Sequence, residues 1–153
     1  MSANEWTGGV DGMDVVERAW NAGDLDAVDE LVHPDYVRHT SRGDIGREAF
    51  KQQIAAMRAA FPDLHAQVEE TLVDGDRRAA RFTVTGTHLG EFFGIAPTGA
   101  RVTFESAVIV HLRDGLLFEE WEFADSASIL SHLRPPAREQ LSIPRVARGL
   151  PLT

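Results

Sequence analysis

Apolar residues recur at two different spacings, which divide the chain into a helical first part and a later part made of strands. In the first part they return every three or four positions, the period of a helix with one buried face. This spacing predicts helices from Met13 to Asn21, from Leu25 to Val32 and from Arg47 to Phe61. A short strand, Tyr36 to His39, precedes the third helix, and a last helix is predicted from Ala127 to Leu133.

The later part alternates apolar and polar residues, which is the pattern of a strand with one buried face. Two Asp-Gly turn signals, at residues 74–75 and 114–115, each join two such segments into a hairpin. The predicted strands run from Leu64 to Val73, Arg78 to His88, Arg101 to Arg113 and Leu116 to Ala124. Helices followed by hairpins predict an α+β fold with helices on one face of an antiparallel sheet. If this sheet is strongly bent, the helices close it into a cone around an apolar pocket.

The segment from Phe82 to Gly99 is the most informative part of the sequence for such a pocket. One face of its strand carries Phe82, Val84, Gly86 and His88, and the other face carries threonines. Gly86 leaves space on the apolar face, and Phe92 lies in an apolar flap that follows. A histidine among aromatic and apolar groups is typical of a small-molecule pocket wall. The alternative is that His88 is a buried histidine satisfied by a backbone carbonyl.

The length of 153 residues fits one domain with a single core. A domain at residues 12–133 is predicted between a polar leader, residues 1–11, and a proline-containing tail, residues 134–153. The leader lacks the apolar core of a signal peptide, and no apolar run reaches the roughly 20 residues of a membrane span. We therefore expect a soluble cytoplasmic protein. The abundance of Arg over Lys, with many Ala, Gly and Asp residues, suggests a GC-rich bacterial genome.

The charge balance and the scattered histidines narrow the possible chemistry. The formal net charge is -9 at pH 7, which argues against nucleic-acid or anionic-membrane binding, because such surfaces need clustered Lys and Arg. The chain has no cysteine, and its six histidines are not set at the close helical spacing of a zinc enzyme. A G-x-S-x-G elbow and a phosphate-binding glycine loop are also missing from the sequence. We expect no metal and no cofactor.

Four segments, in order along the chain, carry a family resemblance. They read WNAGDLDAVDELVHPDYVRH, AAFPDL, GTHLGEFFGIAPTG and DGLLFEEWEFAD, and they resemble the SnoaL-like polyketide cyclases. These proteins belong to the superfamily of nuclear transport factor 2-like and ketosteroid-isomerase-like cones, and the resemblance extends from Val16 to Leu133. It implies a cofactor-free intramolecular aldol condensation that closes a ring of an aromatic polyketide ester. Such a reaction needs a base for a proton beside carbonyl groups and polar groups that hold the enolate oxygen.

The resemblance also implies which residues form the site. The family's acid/base carboxylate follows a tryptophan on the last strand, which assigns that role to Glu122, and the usual His-Trp-Asp pattern is here Glu120-Trp121-Glu122. His39 lies where the family often has a pocket histidine and is the second catalytic candidate. With His88 it would orient the substrate or share the proton transfer, although either histidine could be structural. The expected substrate-binding residues are Trp121, Glu120, Ser106, Phe92 and Phe104.

Several alternatives stay open from the sequence. Glu120 and Glu122 share one strand face, which is either the pocket wall or a hydrated edge. The same scaffold hosts cofactor-independent hydroxylases, isomerases and hydrolases as well as non-catalytic binding proteins. The family histidine is replaced by Glu120, and the inward face of the preceding strand carries the apolar Val108. Both features favour a non-catalytic binder more than in a typical family member. The expected partner is a small apolar, oxygenated, polyketide-like molecule, and the expected assembly is a homodimer or a homotetramer.

Overall fold

The helices follow the predicted order. The structure is a computed structural model that describes residues 13–134, so the predicted leader and nearly all of the predicted tail lie outside the described residues. Helix α1 (Met13–Val15) continues as a π-helical segment (Val16–Asn21), and α2 (Asp26–Leu31), α3 (Arg47–Ala60) and α4 (Ser126–Leu133) follow. Within the described part, no helix has the length and apolar character to cross a membrane.

The strands confirm the two predicted hairpins and add details that the pattern did not show. They are β1 (Val32–Thr40), β2 (Gly43–Ile45), β3 (His65–Asp74), β4 (Arg77–Thr87), β5 (Arg101–Arg113) and β6 (Leu116–Ala124). The Asp-Gly turns join β3 to β4 and β5 to β6. β1 begins at Val32 rather than at Tyr36, and the short β2 was not predicted. Pro34 has no N–H to donate and lies in the irregular part of β1, which hid the start of the strand.

All six strands form one strongly curved sheet that is not closed, in the order β2-β1-β6-β5-β4-β3. The pairs are antiparallel except β1 with β6, which is parallel. A parallel pair needs a long connection, and here α3 and four strands separate β1 from β6 along the chain. The predicted α+β fold with a bent sheet and N-terminal helices is confirmed.

Two groups of buried residues meet around the concave side of the sheet. One joins α3, β4, β5 and α4, and it includes Phe61, Phe82, Phe104 and Ile129. The other joins the N-terminal helices to β1 and α3, and it includes Tyr36, Phe50, Ile54 and Leu117. Burial of one such side chain stabilises the fold by about 1.5–3 kcal/mol. Trp20 and Val108 pack against both groups, and the space between the groups is the cavity described below.

The loop between β4 and β5 is fixed against the end of α3. The backbone amides of Leu89 and Gly90 each donate to the carbonyl oxygen of Ala60 at 3.0 Å. A Cβ atom at Gly90 would lie 2.1 Å from the carbonyl oxygen of Ala59, so only glycine fits this close approach. Phe92 then packs on Phe61 with ring centroids 5.2 Å apart, which holds the loop over the cavity.

Candidate active site

The concave side of the sheet encloses a cavity of about 200 Å³. Its wall is mostly apolar and includes Trp20, Met57, Phe82, Val84, Phe104 and Ile129. The polar groups that line it include Arg38 on β1, Glu120 and Glu122 on β6, and Ser106 on β5. A dry cavity of about 150 Å³ holds one benzene ring. The cavity is therefore sized for the equivalent of one or two rings.

A buried arginine joins both glutamates of the last strand. Arg38 is only 4% exposed, and its Nη1 donates to Glu120 Oε1. Its Nε and Nη2 both donate to Glu122 Oε2, with an Nε–Oε2 distance of 2.9 Å. The Tyr36 hydroxyl donates to Glu120 Oε1 at 2.5 Å. The Arg38 guanidinium also lies over the Phe50 ring, 4.7 Å from its centroid, which adds a cation–π contact.

The strand register explains this cluster. Arg38 is directly opposite Glu120 in the parallel β1–β6 pair. Because side chains alternate between the two faces of a strand, Tyr36 and Arg38 point to the concave side together, as do Glu120 and Glu122. The guanidinium therefore has one carboxylate beside it and a second carboxylate two residues further along β6.

Electrostatics keep Arg38 charged and Tyr36 protonated. Burial is the largest single influence and lowers the pKa of Arg38, but its acidic neighbours, with Glu120 first, together outweigh burial, and the pKa lies above its usual value. Burial, followed by the charge of Glu120, raises the pKa of the Tyr36 phenol, which therefore remains a hydrogen-bond donor. Two N–H groups of a buried guanidinium that converge on one oxygen of Glu122 restrict both the distance and the orientation of the pair.

Five of the predicted site residues come together in the cavity wall. These are Ser106, Glu120, Glu122, Phe92 and Phe104. The carboxylate face of β6 is therefore the pocket wall and not a hydrated edge. Glu122 is the more accessible of the two glutamates, since its side chain is 18% exposed and that of Glu120 is 7% exposed. Its Oε1 makes no hydrogen bond within residues 13–134.

His39 and Trp121 lie on the opposite, convex face of the sheet, where neither lines the cavity. Strand alternation places them there, since each is one residue away from a residue that points inward. His39 bonds Glu119 through Nε2 and Asp44 through Nδ1, both at 2.8 Å, and stacks on Trp121. The hydrogen bond with Glu119, followed by that with Asp44, raises the pKa of His39. His39 makes no hydrogen bond with Glu122, which binds Arg38 on the other face.

His88 is fully buried, but it is not part of the cavity wall. Its Nδ1 accepts a hydrogen bond from the Thr98 amide at 3.2 Å and lies 2.9 Å from the Thr98 hydroxyl oxygen. Its Nε2 has no hydrogen-bond partner in the described part of the chain. The geometry matches the structural alternative, except that an amide and a hydroxyl of the loop, rather than a carbonyl, hold the ring.

Three residues of the site, Arg38, Tyr36 and Gln53, were not predicted from the sequence. The pairing of β1 with β6 brings Arg38 to its glutamates, and no local pattern reveals that pairing. Gln53 on α3 lines the cavity, and its Oε1 is buried without a partner among residues 13–134. This oxygen can therefore accept a hydrogen bond from a ligand. A signal was present for Arg38 alone, as a charged residue on the same strand face as Tyr36.

Arg42 and Phe93 mark the mouth of the cavity, because both line it and both are exposed. The Arg42 guanidinium lies 3.7 Å from the centroid of the Phe93 ring. Phe93 has a positive φ of 47°, which is uncommon for a residue with a side chain. This contact joins the β1–β2 turn to the β4–β5 loop across the mouth. Within residues 13–134, no group of three or more His, Asp or Glu side chains could hold a metal ion.

Comparisons with known proteins agree with this architecture. The sequence profile of the SnoaL-like polyketide cyclases matches residues 11–133. The chain is 30% identical to the nogalonic acid methyl ester cyclase of Streptomyces nogalater over 123 residues, which cover 77% of this chain and 91% of that protein.

Two solved structures have the same fold. AclR, a proposed hydroxylase from Streptomyces galilaeus, has a TM-score of 0.70 and 33% identity, covering 75% of this chain and 86% of its own. A proposed SnoaL-like polyketide cyclase from Jannaschia sp. CCS1 has a TM-score of 0.75 and 26% identity, covering 81% and 90%. The profile match spans most of the chain and coincides with the described domain. The chain therefore belongs to the SnoaL-like polyketide cyclase family.

Proposed function

We propose that the protein is a cofactor-free cyclase that closes a ring of a polyketide ester by intramolecular aldol condensation. The observation that carries this proposal is the position of the Glu122 carboxylate, which lines an otherwise largely apolar cavity and keeps one oxygen without a partner among residues 13–134. A positioned carboxylate in a water-poor site is suited to acid/base catalysis at carbon. Glu120 is less suited, because it is more buried and Tyr36 and Arg38 both donate to it.

In the proposed mechanism, Glu122 takes a proton from a substrate carbon that lies beside carbonyl groups. The electron pair of the C–H bond moves into the neighbouring carbonyl and gives an enolate. The enolate carbon attacks a second carbonyl of the same molecule, which forms the new C–C bond. Glu122 then returns the proton to the alkoxide oxygen, so the product is an isomer of the substrate.

The family and the cavity together support a polyketide ester as the substrate class. The relative from Streptomyces nogalater is named for a methyl ester of this kind. A cavity of about 200 Å³ is smaller than the roughly 300–1,000 Å³ of typical ligand pockets. We therefore expect the reacting end of the substrate to enter the cavity and the rest to extend through the mouth, where it separates Arg42 from Phe93.

The test is to compare Glu122→Gln with Glu119→Gln on the full chain. Nogalonic acid methyl ester is the probe substrate, and the isomeric product is separated by chromatography. We expect Glu122→Gln to lower turnover about 10²–10⁴-fold, because it removes the acid/base group with little change of shape. Glu119→Gln is the matched control, since Glu119 lies on the same strand and faces outward to His39. Equal turnover by Glu122→Gln and the wild type would contradict the proposed role.

Hydroxylation is the second candidate, because AclR is a proposed hydroxylase and is similar in sequence and structure. The two reactions differ in product mass, since hydroxylation adds one oxygen atom and aldol closure adds none. Turnover in the absence of O₂ with an isomeric product supports cyclisation. A requirement for O₂ supports hydroxylation. Tight binding of the probe without any product indicates a non-catalytic binding protein.

The convex face of the sheet supports a proposed homodimer. Leu72, Ala79, Ile109 and Trp121 are neighbours across β3, β4, β5 and β6 and form one row on this face. Ile109 is 44% exposed and Phe123, on the same face, is 60% exposed. Exposed apolar area of this kind is typical of an interface. Ile109→Glu should convert a dimer to monomers in light scattering, and a wild-type monomer would contradict this assembly.

A further inference from the structure

Arg38 contacts two carboxylates of the cavity wall, which is more than the orientation of Glu122 alone requires. One guanidinium faces two carboxylates in the cavity wall, so the cluster has a single excess negative charge while both carboxylates are ionised. When Glu122 accepts the substrate proton, Arg38 and Glu120 remain as a neutral pair. The excess charge is then on the enolate oxygen of the substrate. A new anion in a cavity of low polarity needs a donor beside it.

We propose that Arg38 is a catalytic residue that binds this enolate oxygen. The inference rests on the proposed cyclase function and extends it from the acid/base group to the group that stabilises the oxyanion. The Nε and Nη2 atoms of Arg38 donate to Glu122 while Glu122 is ionised. Protonation removes the Coulomb attraction between the carboxylate and the guanidinium, which is strong in a cavity of low dielectric constant. Protonation of Glu122 therefore weakens its hydrogen bonds with these two N–H groups, which then donate to the enolate oxygen.

The atoms and charges balance in this step. The proton moves from the substrate carbon to Glu122, and the C–H electron pair becomes the enolate. The negative charge leaves the carboxylate and appears on the substrate oxygen, while Arg38 stays a cation throughout. When the new C–C bond forms, the charge passes to the alkoxide. Glu122 protonates that oxygen, and its own carboxylate recovers both N–H bonds of Arg38.

The other arginines of the cavity wall, Arg42 and Arg78, make contacts away from Glu122. Arg42 lies over Phe93 at the mouth. Arg78 directs its Nη1 to the backbone carbonyls of Gly75 and Arg77 at the β3–β4 turn. Arg38 is the one of these three that contacts the proposed acid/base residue, so its N–H groups are beside the site of proton transfer.

The test uses naphthols of graded acidity as enolate mimics, because a naphtholate carries its charge on an oxygen attached to a planar ring. Glu122→Gln is the parent, since a glutamine side chain resembles a protonated glutamate. We expect the parent to bind the acidic naphthols as naphtholates, seen by the shifted absorbance of the bound ring. We also expect the dissociation constant to fall as the acidity of the naphthol rises.

The comparison variant is R38Q/E120Q/E122Q, in which the cation and its remaining partner are removed together. The formal charge of the cluster is zero in both proteins, so a difference between them reports the arginine itself. We expect this variant to bind neutral naphthols only and to bind the most acidic naphthol at least tenfold more weakly. R101Q/E122Q is the control, because Arg101 is 65% exposed, pairs with Asp63 and does not line the cavity, and it should match the parent.

A naphtholate spectrum and an acidity dependence that persist in the triple variant would overturn the proposal. If circular dichroism shows that the triple variant is unfolded, R38K/E122Q replaces it, since lysine keeps the charge opposite Glu120 and lacks the planar fork. This variant should bind the acidic naphthols more weakly than the parent, and equal binding would again overturn the proposal.

Turnover of nogalonic acid methyl ester distinguishes a failure of the proposed function from a failure of the proposed role of Arg38. R38Q/E120Q, with Glu122 intact, should lose about 10²–10³-fold in kcat, as expected for loss of an oxyanion donor. If Glu122→Gln retains turnover, the proposed function fails, whatever the naphthols show. If turnover depends on Glu122 but naphtholate binding and kcat do not depend on Arg38, only the role of Arg38 fails.

Discussion

Replacing Arg38 alone should destabilise the fold more than replacing the whole ion cluster. Arg38 and Glu120 are 4% and 5% exposed, so Arg38→Met leaves at least one carboxylate buried without its cation. Breaking a buried ion pair from one side costs about 3–5 kcal/mol. The partial exposure of Glu122 favours the lower end of this range, since water reaches that carboxylate. For a domain of this size, such a loss lowers Tm by roughly 6–20 °C.

The matched variant is Y36F/R38M/E120L/E122L, which removes every charge of the cluster and the hydroxyl that donates to Glu120. Replacing a buried ion cluster by apolar residues of similar size is often neutral or stabilising by about 1–4 kcal/mol. We therefore expect it to be at least as stable as the wild type, although inactive. Urea unfolding followed by circular dichroism measures all three proteins. A loss below 1 kcal/mol in R38M, or an equal loss in both variants, would refute the reasoning.

Two further predictions concern the loop and the convex face. Gly90→Ala should lower the free energy of unfolding by more than about 1 kcal/mol, because its Cβ would lie 2.1 Å from the Ala59 carbonyl oxygen. Gly94→Ala should cost less, since a Cβ there meets no atom within 4 Å and only its positive φ opposes the change. His39 has a raised pKa in the folded state, so its protonated form stabilises the protein fully below the ordinary pKa of 6.5, and this contribution is lost as the pH rises through the raised value. His39→Gln should therefore reduce stability in urea at about pH 5.5 and much less at about pH 9; an equal difference at both pH values would contradict this account.

The sequence predicted what depends on local spacing. The stripe of Phe50 and Ile54 on α3 and the two Asp-Gly hairpins are visible within short windows, and the structure confirms them. The resemblance then led to Glu122, which does line the cavity. The predicted strand from Tyr36 to His39 was too short to show which of its faces is buried. His39 was expected in the pocket from the family resemblance, and a face assignment that would have placed Arg38 there instead was not available, because adjacent residues of a strand point to opposite faces.

The parallel pairing of β1 with β6 has a consequence for the order of folding. Arg38 is separated from Glu120 by 82 residues and from Glu122 by 84, so the ion cluster exists only after the two ends of the domain have met. Contacts so distant in sequence form slowly, because the chain must close a long loop first. Pulsed hydrogen exchange should therefore find the β1 amides that pair with β6 protected later than the β3–β4 hairpin. On this account, a nascent chain acquires its proposed acid/base site in one of the last folding steps, after most of the sheet is already in place.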